Sequence, residues 1–434
     1  MTASLTITVV GLGKIGLPLA VQYAGLGHRV IGADINPAVV ADVNAGVEPF
    51  PGEFDLARRL GELVDAGTLT ATTSTADAVR QSDAVVVVVP VAIDAAGTPD
   101  FQHMDGAVAD IGSSVGAGTV VSFETTVPMG TTRDRFAPAI EAASGLREGA
   151  ELFVVYSPER VLTGRVFADL RRYPKLVGAL NAAGAARAVG FYESVLEFDD
   201  RPDLPRANGV WDLGSAEAAE LAKLAETTYR DVNIALANTF AVYAESAGID
   251  IGMVIDACNS QPYSHIHRPG VAVGGHCIPV YPHLYLSNDP AAVLVRTARE
   301  VNSAMPAHVV DRLSDALSGL QGQTVVILGA AYRGGVKETA FSGVFPLVEA
   351  VVARGGLPVV HDPMYSDGEL EALGLVPFHS GDRADGAILQ ADHAEYREWG
   401  PAEIERVRCI VDGRGVTSAA LWPGVQHLVI GRAS

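Results

Sequence analysis

Apolar positions follow two regimes along the chain. In the first stretch, short runs rich in Val and Ile alternate with helical segments. Leu5–Val10, His28–Ala33, Ala84–Val89 and Thr119–Phe123 read as strands, and a further strand near Glu151–Tyr156 runs into Ser157-Pro158-Glu159. Leu17–Leu26 reads as a helix. The longest clean apolar run, Ala84–Ala92, is far too short to span a bilayer and suits a strand buried on both faces of a parallel sheet. Strands separated by helices imply βαβ units.

Past Gly214 the period changes. Ser215 to about Ala247 predicts one long helix, with Ser215 as N-cap and Gly248 as its stop. Leu221, Leu224, Ala225 and Thr228 lie at i, i+3, i+4 and i+7, one face of that helix. Such a length suits a helix that links domains or forms a dimer interface. A second βαβ pattern begins at Thr324–Leu328. It continues through the turn Gly329–Gly335, a helix Phe345–Ala353, a strand Leu357–His361 ending at Asp362-Pro363, and short strands at Ala387–Leu389 and Cys409–Val411. Two α/β units therefore flank a helical middle, with expected bounds 1–210, 211–310 and 311–434.

Composition narrows the partners. With 31 Lys+Arg against 51 Asp+Glu the net charge is −20. So acidic a surface repels phosphate backbones, so no nucleic-acid partner is expected, and anionic ligands need local basic or amide sites. Three cysteines, Cys258, Cys277 and Cys409, are too few and too scattered for a disulfide framework or a zinc cluster. Cys258 and Cys409 sit in apolar surroundings and read as core. His265 and His267 find no third ligand at sensible spacing, so no metal is expected. The segment Met1–Val10 lacks a basic region and leads straight into a strand, so no signal peptide is expected. The sparse cysteines make a reduced, cytoplasmic setting the expectation, and no membrane partner is expected.

Gly11-Leu12-Gly13-Lys14-Ile15-Gly16 fits G-x-G-x-x-G after a strand and before a helix. There the glycines permit a tight turn and bring a pyrophosphate to the helix N-terminus, where free N–H groups favour anions. Asp34 ends the next strand, eighteen residues past Gly16. A carboxylate there bonds a ribose 2′-hydroxyl and repels a 2′-phosphate, which predicts NAD. The second turn, Gly329-Ala330-Ala331-Tyr332, lacks the full pattern and is assigned no dinucleotide. Gly270–Pro279 wraps glycines around one thiol, Cys277. Glycines let backbone approach a ligand closely, and a thiolate is a strong nucleophile. On the loop alone, both an inert and a catalytic cysteine remain open.

Taken together, these segments resemble the UDP-glucose/GDP-mannose dehydrogenase superfamily, and most its UDP-N-acetylmannosamine dehydrogenase branch. The matching runs are Val10–Pro18, Glu124–Thr132, Tyr156–Arg160, Ala222–Glu226, Tyr229–Ala235, Gln261–Tyr263, Gly274–Pro279, Ala331–Arg333 and His361–Pro363, in family order over nearly the whole chain. The resemblance implies an α/β fold of two Rossmann-like, doubly wound domains joined by a long central helix and a helical middle domain, and a homodimer.

It also implies a reaction, the oxidation of the C6 alcohol of a nucleotide sugar, UDP being the family-weighted base, to a carboxylate. Two NAD are reduced per turnover, through a thiohemiacetal and a thioester. On that resemblance Cys277 is the nucleophile, Lys223 stabilises the developing oxyanion, and Thr126 and Glu159 hold water or move protons. Gly11, Gly13, Lys14, Ile15, Gly16, Asp34, Pro90 and Thr126 bind the cofactor. Arg268, Gly274, Arg333 and Tyr263 bind the nucleotide sugar, with Asn259 a weaker candidate. An arginine fork is what a diphosphate needs on an acidic protein.

Three positions depart from the family pattern. Tyr281 stands where an aspartate that positions the hydrolytic water is usual, Thr227 where an asparagine follows Ala-Glu, and Thr239 where glutamate is common. The first two leave three outcomes open: full oxidation to the acid; a hydride-transfer enzyme that stops early, or acts on another carbon or an atypical nucleotide substrate; and a non-catalytic dinucleotide-binding homologue.

Overall fold

A computed structural model describes residues 4–94 and 97–433. Fifteen strands form among them. In chain order they are β1 (Thr6–Val10), β2 (Arg29–Ala33), β3 (Leu69–Thr72), β4 (Ala84–Val87), β5 (Ala92–Ile93), β6 (Pro99–Asp100), β7 (Val120–Phe123), β8 (Phe153–Tyr156), β9 (Lys175–Ala179), β10 (Val210–Asp212), β11 (Thr324–Leu328), β12 (Leu357–His361), β13 (Gly386–Leu389), β14 (Cys409–Asp412) and β15 (Gln426–Val429). The predicted strands all form, most of them a residue or two shorter than the apolar runs suggest.

Contacts divide the chain into two units. One comprises the residues up to Ala225 together with His283–Asn288; the other comprises Glu226–Pro282 and the residues from Asp289 on. The first holds an eight-stranded sheet in the order β10-β9-β8-β7-β4-β1-β2-β3. Its strands run parallel except at β8–β9, which pair antiparallel. β4 shows why its apolar run is unbroken. Ala84 and Val86 enter the core on one face, and Val85 and Val87 enter the core on the other. The chain order reverses beside β1, and a doubly wound sheet binds ligands at the carboxyl ends of its strands at such a point.

The second unit holds a five-stranded parallel sheet, β12-β11-β13-β14-β15. In β11, Val325 and Ile327 face one core, Val326 and Leu328 the other. Helices Ile251–Asn259 and Val293–Leu317 also belong here.

The helix Ala216–Ala247 carries the chain from the first unit to the second. Ser215 caps it through Oγ, which accepts from Ala218 N at 3.1 Å, and Gly248 leaves it at φ +75°. Its buried face takes in Leu224 and Thr228 of the apolar stripe but not the other two. Leu221 and Ala225 are exposed, whereas Glu220, Lys223, Leu224, Thr227, Thr228 and Asp231 are buried. The buried face has helical spacing but is mainly polar, so a search for apolar periodicity finds only part of it. Cys409 is buried as expected; Cys258, read as core, is only half-buried.

Candidate functional site

The glycine turn lies between β1 and the helix Gly16–Gly25. Gly11 has φ +92°, and a Cβ on Gly16 would lie 1.8 Å from Gly11 O, so neither position accepts a side chain. A Cβ on Gly13 would meet nothing within 4 Å, which leaves the mouth of the turn open to a ligand. The helix that follows has no side-chain cap and no acidic residue in its first turn. No side chain there thus competes with an anion for the helix N-terminus, although Leu17 N donates to Gly13 O at 3.1 Å and Pro18 has no N–H. Asp34 is fixed by two amides: Oδ2 accepts from Leu12 N and Oδ1 from Asn36 N, each at 2.8 Å. This cradle fits a pyrophosphate and a ribose, the parts of NAD it would hold. Lys14 and Ile15 are half-buried in the turn, and Pro90 is exposed beyond β4. Thr126 is buried, next to Thr125, whose hydroxyl donates to Val89 O at 2.7 Å.

Glu159 and Lys223 meet at the carboxyl end of the same sheet, past β8. Lys223 Nζ donates to the Glu159 carbonyl oxygen at 2.6 Å and is buried. The Glu159 side chain turns elsewhere. Its Oε1 accepts from Arg160 N at 2.6 Å and Val161 N at 3.1 Å, and its Oε2 from Lys175 Nζ at 2.8 Å. Burial would raise its pKa, but the Lys175 ammonium and the amide donors hold it below the usual range. Glu220, one turn before Lys223, accepts from Gly130 N, Thr132 N and Thr132 Oγ1, so it braces the loop after Thr126.

The cysteine loop lies in the second unit, and its backbone is tied at four places. Gly270 N donates to Asn238 Oδ1 at 2.9 Å, Val271 N to Gly413 O at 3.1 Å, and Gly275 N to Ala340 O at 2.9 Å. Ile278 O accepts from Arg299 at 3.4 Å. Cys277 itself is half-buried, and its carbonyl accepts from Tyr281 N at 2.9 Å, opening the helix Tyr281–Asn288. Residues four apart on such a turn share a face, so Tyr281 belongs to the surroundings of the thiol.

Behind the loop, Arg299 pairs with Asp231 at 3.1 Å, and Asn302 donates to the Asp231 carbonyl and carboxylate. Asn238 donates to Asn302 at 2.9 Å. Desolvation raises the Asp231 carboxyl, a shift the Arg299 charge only partly offsets. Thr227 is buried, and the Thr239 hydroxyl bonds back to Ala235 O.

The proposed sugar-nucleotide contacts scatter more widely within this unit. Gly274 is packed: a Cβ there would lie 2.6 Å from Tyr332 Cβ and 2.9 Å from Phe341 O. Arg333 is half-buried, its Nε 3.3 Å from Tyr332 Oη. Arg268 is exposed and paired with Asp256, and it lines a cavity of about 420 Å³ with Arg414, Arg432 and Asp250. Tyr263 is almost fully exposed. Asn259 exchanges hydrogen bonds with the Ile266 backbone, which points to a structural role.

Four charged residues were assigned no role, although Glu124 and Asp231 stand in the matching runs. Glu124, Lys175 and Asp231 are buried, and Arg414 donates to Gln390 O and Tyr332 O beside the second turn. The available signal was a charge abutting an apolar strand, Glu124 after β7 and Lys175 at the head of β9. Among the described residues no group of three His, Cys, Asp or Glu is placed to hold a metal, and no helix is long and apolar enough to cross a membrane.

Comparison with known proteins gives the family. Residues 5–196 match the UDP-glucose/GDP-mannose dehydrogenase family NAD binding domain, and residues 217–304 match the family's central domain. UDP-N-acetyl-D-mannosamine dehydrogenase of Pyrococcus horikoshii is 34% identical over 94% of this chain and 95% of its own. NDP-N-acetyl-D-galactosaminuronic acid dehydrogenase of Ralstonia nicotianae is 31% identical over 95% and 96%. The solved Pyrococcus UDP-D-ManNAc dehydrogenase superposes with a TM-score of 0.87 at 31% identity, covering 98% of this chain and 99% of that one. A UDP-glucose dehydrogenase from Pyrobaculum islandicum gives 0.85 at 25% identity, covering 100% and 99%. The chain thus belongs to the UDP-glucose/GDP-mannose dehydrogenase family and is an NAD-dependent nucleotide-sugar dehydrogenase.

Proposed function

We propose that the protein oxidises the C6 primary alcohol of a UDP-linked hexose, of the 2-acetamido class named for its relatives, to the uronic acid. The observation that carries this reading is the pairing of a buried ammonium, Lys223, with the Glu159 segment at the carboxyl end of the dinucleotide-binding sheet. A cation there steadies the oxygen that gains charge as the alcohol is oxidised and again when a thiol or water adds to the carbonyl carbon. Bound NAD supplies the hydride acceptor for both oxidations.

Cys277 Sγ adds to the aldehyde carbon, and the carbonyl oxygen takes the proton to give a thiohemiacetal. The second oxidation leaves a thioester. Water cleaves it, releasing the acid and returning the thiol. Glu159 and Thr126 hold that water, and Arg268, Arg333, Gly274 and Tyr263 form the nucleotide-sugar site. Tyr281 supplies no carboxylate beside the thiol, so thioester hydrolysis is the slow step. The exposed apolar face of the long helix, with Leu236, Phe240 and Tyr243, forms a homodimer contact, which sedimentation of Phe240→Glu tests: a monomer supports it.

A panel of UDP- and GDP-sugars with NAD, followed by product mass, tests the assignment. A gain of one oxygen and loss of two hydrogens identifies the acid. A loss of two hydrogens alone identifies an enzyme that stops at the aldehyde or oxidises another carbon, and contradicts the reading.

A further inference from the structure

We infer that Glu124 and Lys175 form a buried proton-sharing chain behind Glu159 that governs how readily the Glu159 carboxylate accepts a proton, which makes Glu124 a positioning residue for the reaction proposed above. The inference rests on that reading of Glu159. Its geometry stands by itself.

Lys175 Nζ lies 2.7 Å from Glu124 Oε2 and 2.8 Å from Glu159 Oε2. The side chains of Lys175, Glu124 and Glu159 are 4%, 0% and 11% exposed. One ammonium therefore serves two carboxylates in a nearly dry pocket, and Lys223 adds a second positive charge on the Glu159 side. With both carboxylates ionised it is thus the Glu124 side that carries the unbalanced negative charge. Burying an unbalanced charge is costly enough that one group holds a proton instead.

The donors decide which. Glu159 receives two backbone N–H groups besides Lys175, and amides cannot give way to a carboxylic acid. Glu124 Oε1 meets hydroxyls only: Tyr192 Oη at 2.6 Å and, at the limit of a hydrogen bond, Tyr23 Oη at 3.5 Å. Tyr192 Oη is also 2.7 Å from Ser122 Oγ. Hydroxyls reverse direction freely, so Tyr192 donates to an ionised Glu124 and, with its proton turned to Ser122, accepts from a neutral one. Glu124 is thus built to rest in either state, whereas Glu159 rests ionised, its Oε1 held by the two amides, and takes a proton only during turnover.

The surrounding charges agree. Facing Glu124 are Lys175 from β9, Glu159 from beyond β8, Tyr192 from the helix Ala182–Val195 and Tyr23 from the helix Gly16–Gly25. Burial, reinforced by the Glu159 charge and opposed by Lys175, pushes Glu124 up to about 7. Below that pH Lys175 is committed to Glu159 and keeps it a weak base. Above it the proton leaves Glu124 for solvent, Lys175 is shared, and Glu159 gains proton affinity. Glu159 N also donates to Glu124 O at 3.3 Å, so the two segments move as one.

The test is the pH profile of kcat with saturating NAD and nucleotide sugar, for the wild type, Glu124→Gln and Glu124→Asp. The wild type rises through a midpoint near 7. Glu124→Gln stays on the low-pH plateau and loses the wild-type rise at pH 8, with its KM unchanged. Glu124→Asp regains a step at a shifted midpoint. A Gln variant that keeps the wild-type midpoint, or that slows equally at every pH, overturns the inference.

Infrared titration of the enzyme labelled with ¹³C-glutamate supplies a readout that needs no turnover. A neutral-carboxyl band is lost near pH 7 in the wild type, and less of it is lost in Glu124→Gln, where Glu220, also pushed up to about 7 by burial, still contributes. An equal loss in both proteins overturns the inference. Absence of that band in the wild type also overturns the inference. If the band is present but no nucleotide sugar is oxidised, the functional reading fails and the proton-sharing chain survives.

Discussion

Gly274→Ala isolates the placement of Cys277 from its chemistry. Gly274 is not held at positive φ, so alanine is conformationally tolerated and only its methyl group matters. That methyl would sit 2.6 Å from Tyr332 Cβ and 2.9 Å from Phe341 O, where ordinary contact begins at 3.4 Å. Neither neighbour is a flexible tip, so the loop must retreat by most of an ångström. The Gly275 N–Ala340 O bond next to it tethers the loop against that movement.

Overpacking of this kind costs about 1–3 kcal/mol of stability, enough to displace the loop but not to unfold a unit of this size. A displacement near 1 Å three residues before the nucleophile lowers a rate by about 10²-fold. Stopped-flow absorbance at substrate saturation separates the two hydride transfers. The expected result is a nearly normal first NADH and a second slowed about 10²-fold, with NAD affinity unchanged. Wild-type rates for both transfers in a folded Gly274→Ala protein would refute a loop held in register by Tyr332 and Phe341.

Other perturbations probe separate parts. Arg299→Met leaves Asp231 buried without its cation; losing one partner of such a pair costs about 3–5 kcal/mol, read as an early transition in urea, and an unchanged midpoint contradicts the pairing. Asp34→Asn keeps one acceptor for the two amides but removes the charge, so KM for NAD rises about tenfold or more, for a charged hydrogen bond worth about 1.5–3 kcal/mol, while NADP gains. Tyr281→Asp supplies a carboxylate one turn from Cys277 and speeds steady-state turnover; equal rates show that hydrolysis does not limit.

The sequence made the sheets legible because a strand buried on both faces is an unbroken apolar run, and β11 and β12 were read to the residue. The glycine turn was legible for a different reason. Gly11, Gly16 and Asp34 each answer a local demand, a positive φ, a close backbone contact and a strand end. What escaped was polar and non-local. Lys175 is separated from Glu124 by about fifty positions, and nothing in either neighbourhood marks the other. Asp231 and Arg299 come from helices far apart in the chain. The inner face of the long helix was only partly legible because Glu220, Lys223 and Thr227 look like solvent-facing residues until their partners are known. Family resemblance supplied Lys223 and Cys277, which periodicity alone left among ordinary charges and thiols.

The claim on which the account turns is that carbon becomes covalently bound to Cys277 during turnover. Acid-quenching the enzyme with NAD and its nucleotide sugar, then weighing the peptide that carries Cys277, tests this directly. The account predicts a nucleotide-sugar acyl adduct on that peptide, accumulating in the wild type because Tyr281 slows hydrolysis, declining in Tyr281→Asp and absent in Cys277→Ala. A wild type that forms two NADH per sugar while that peptide stays unmodified at every quench time would contradict it.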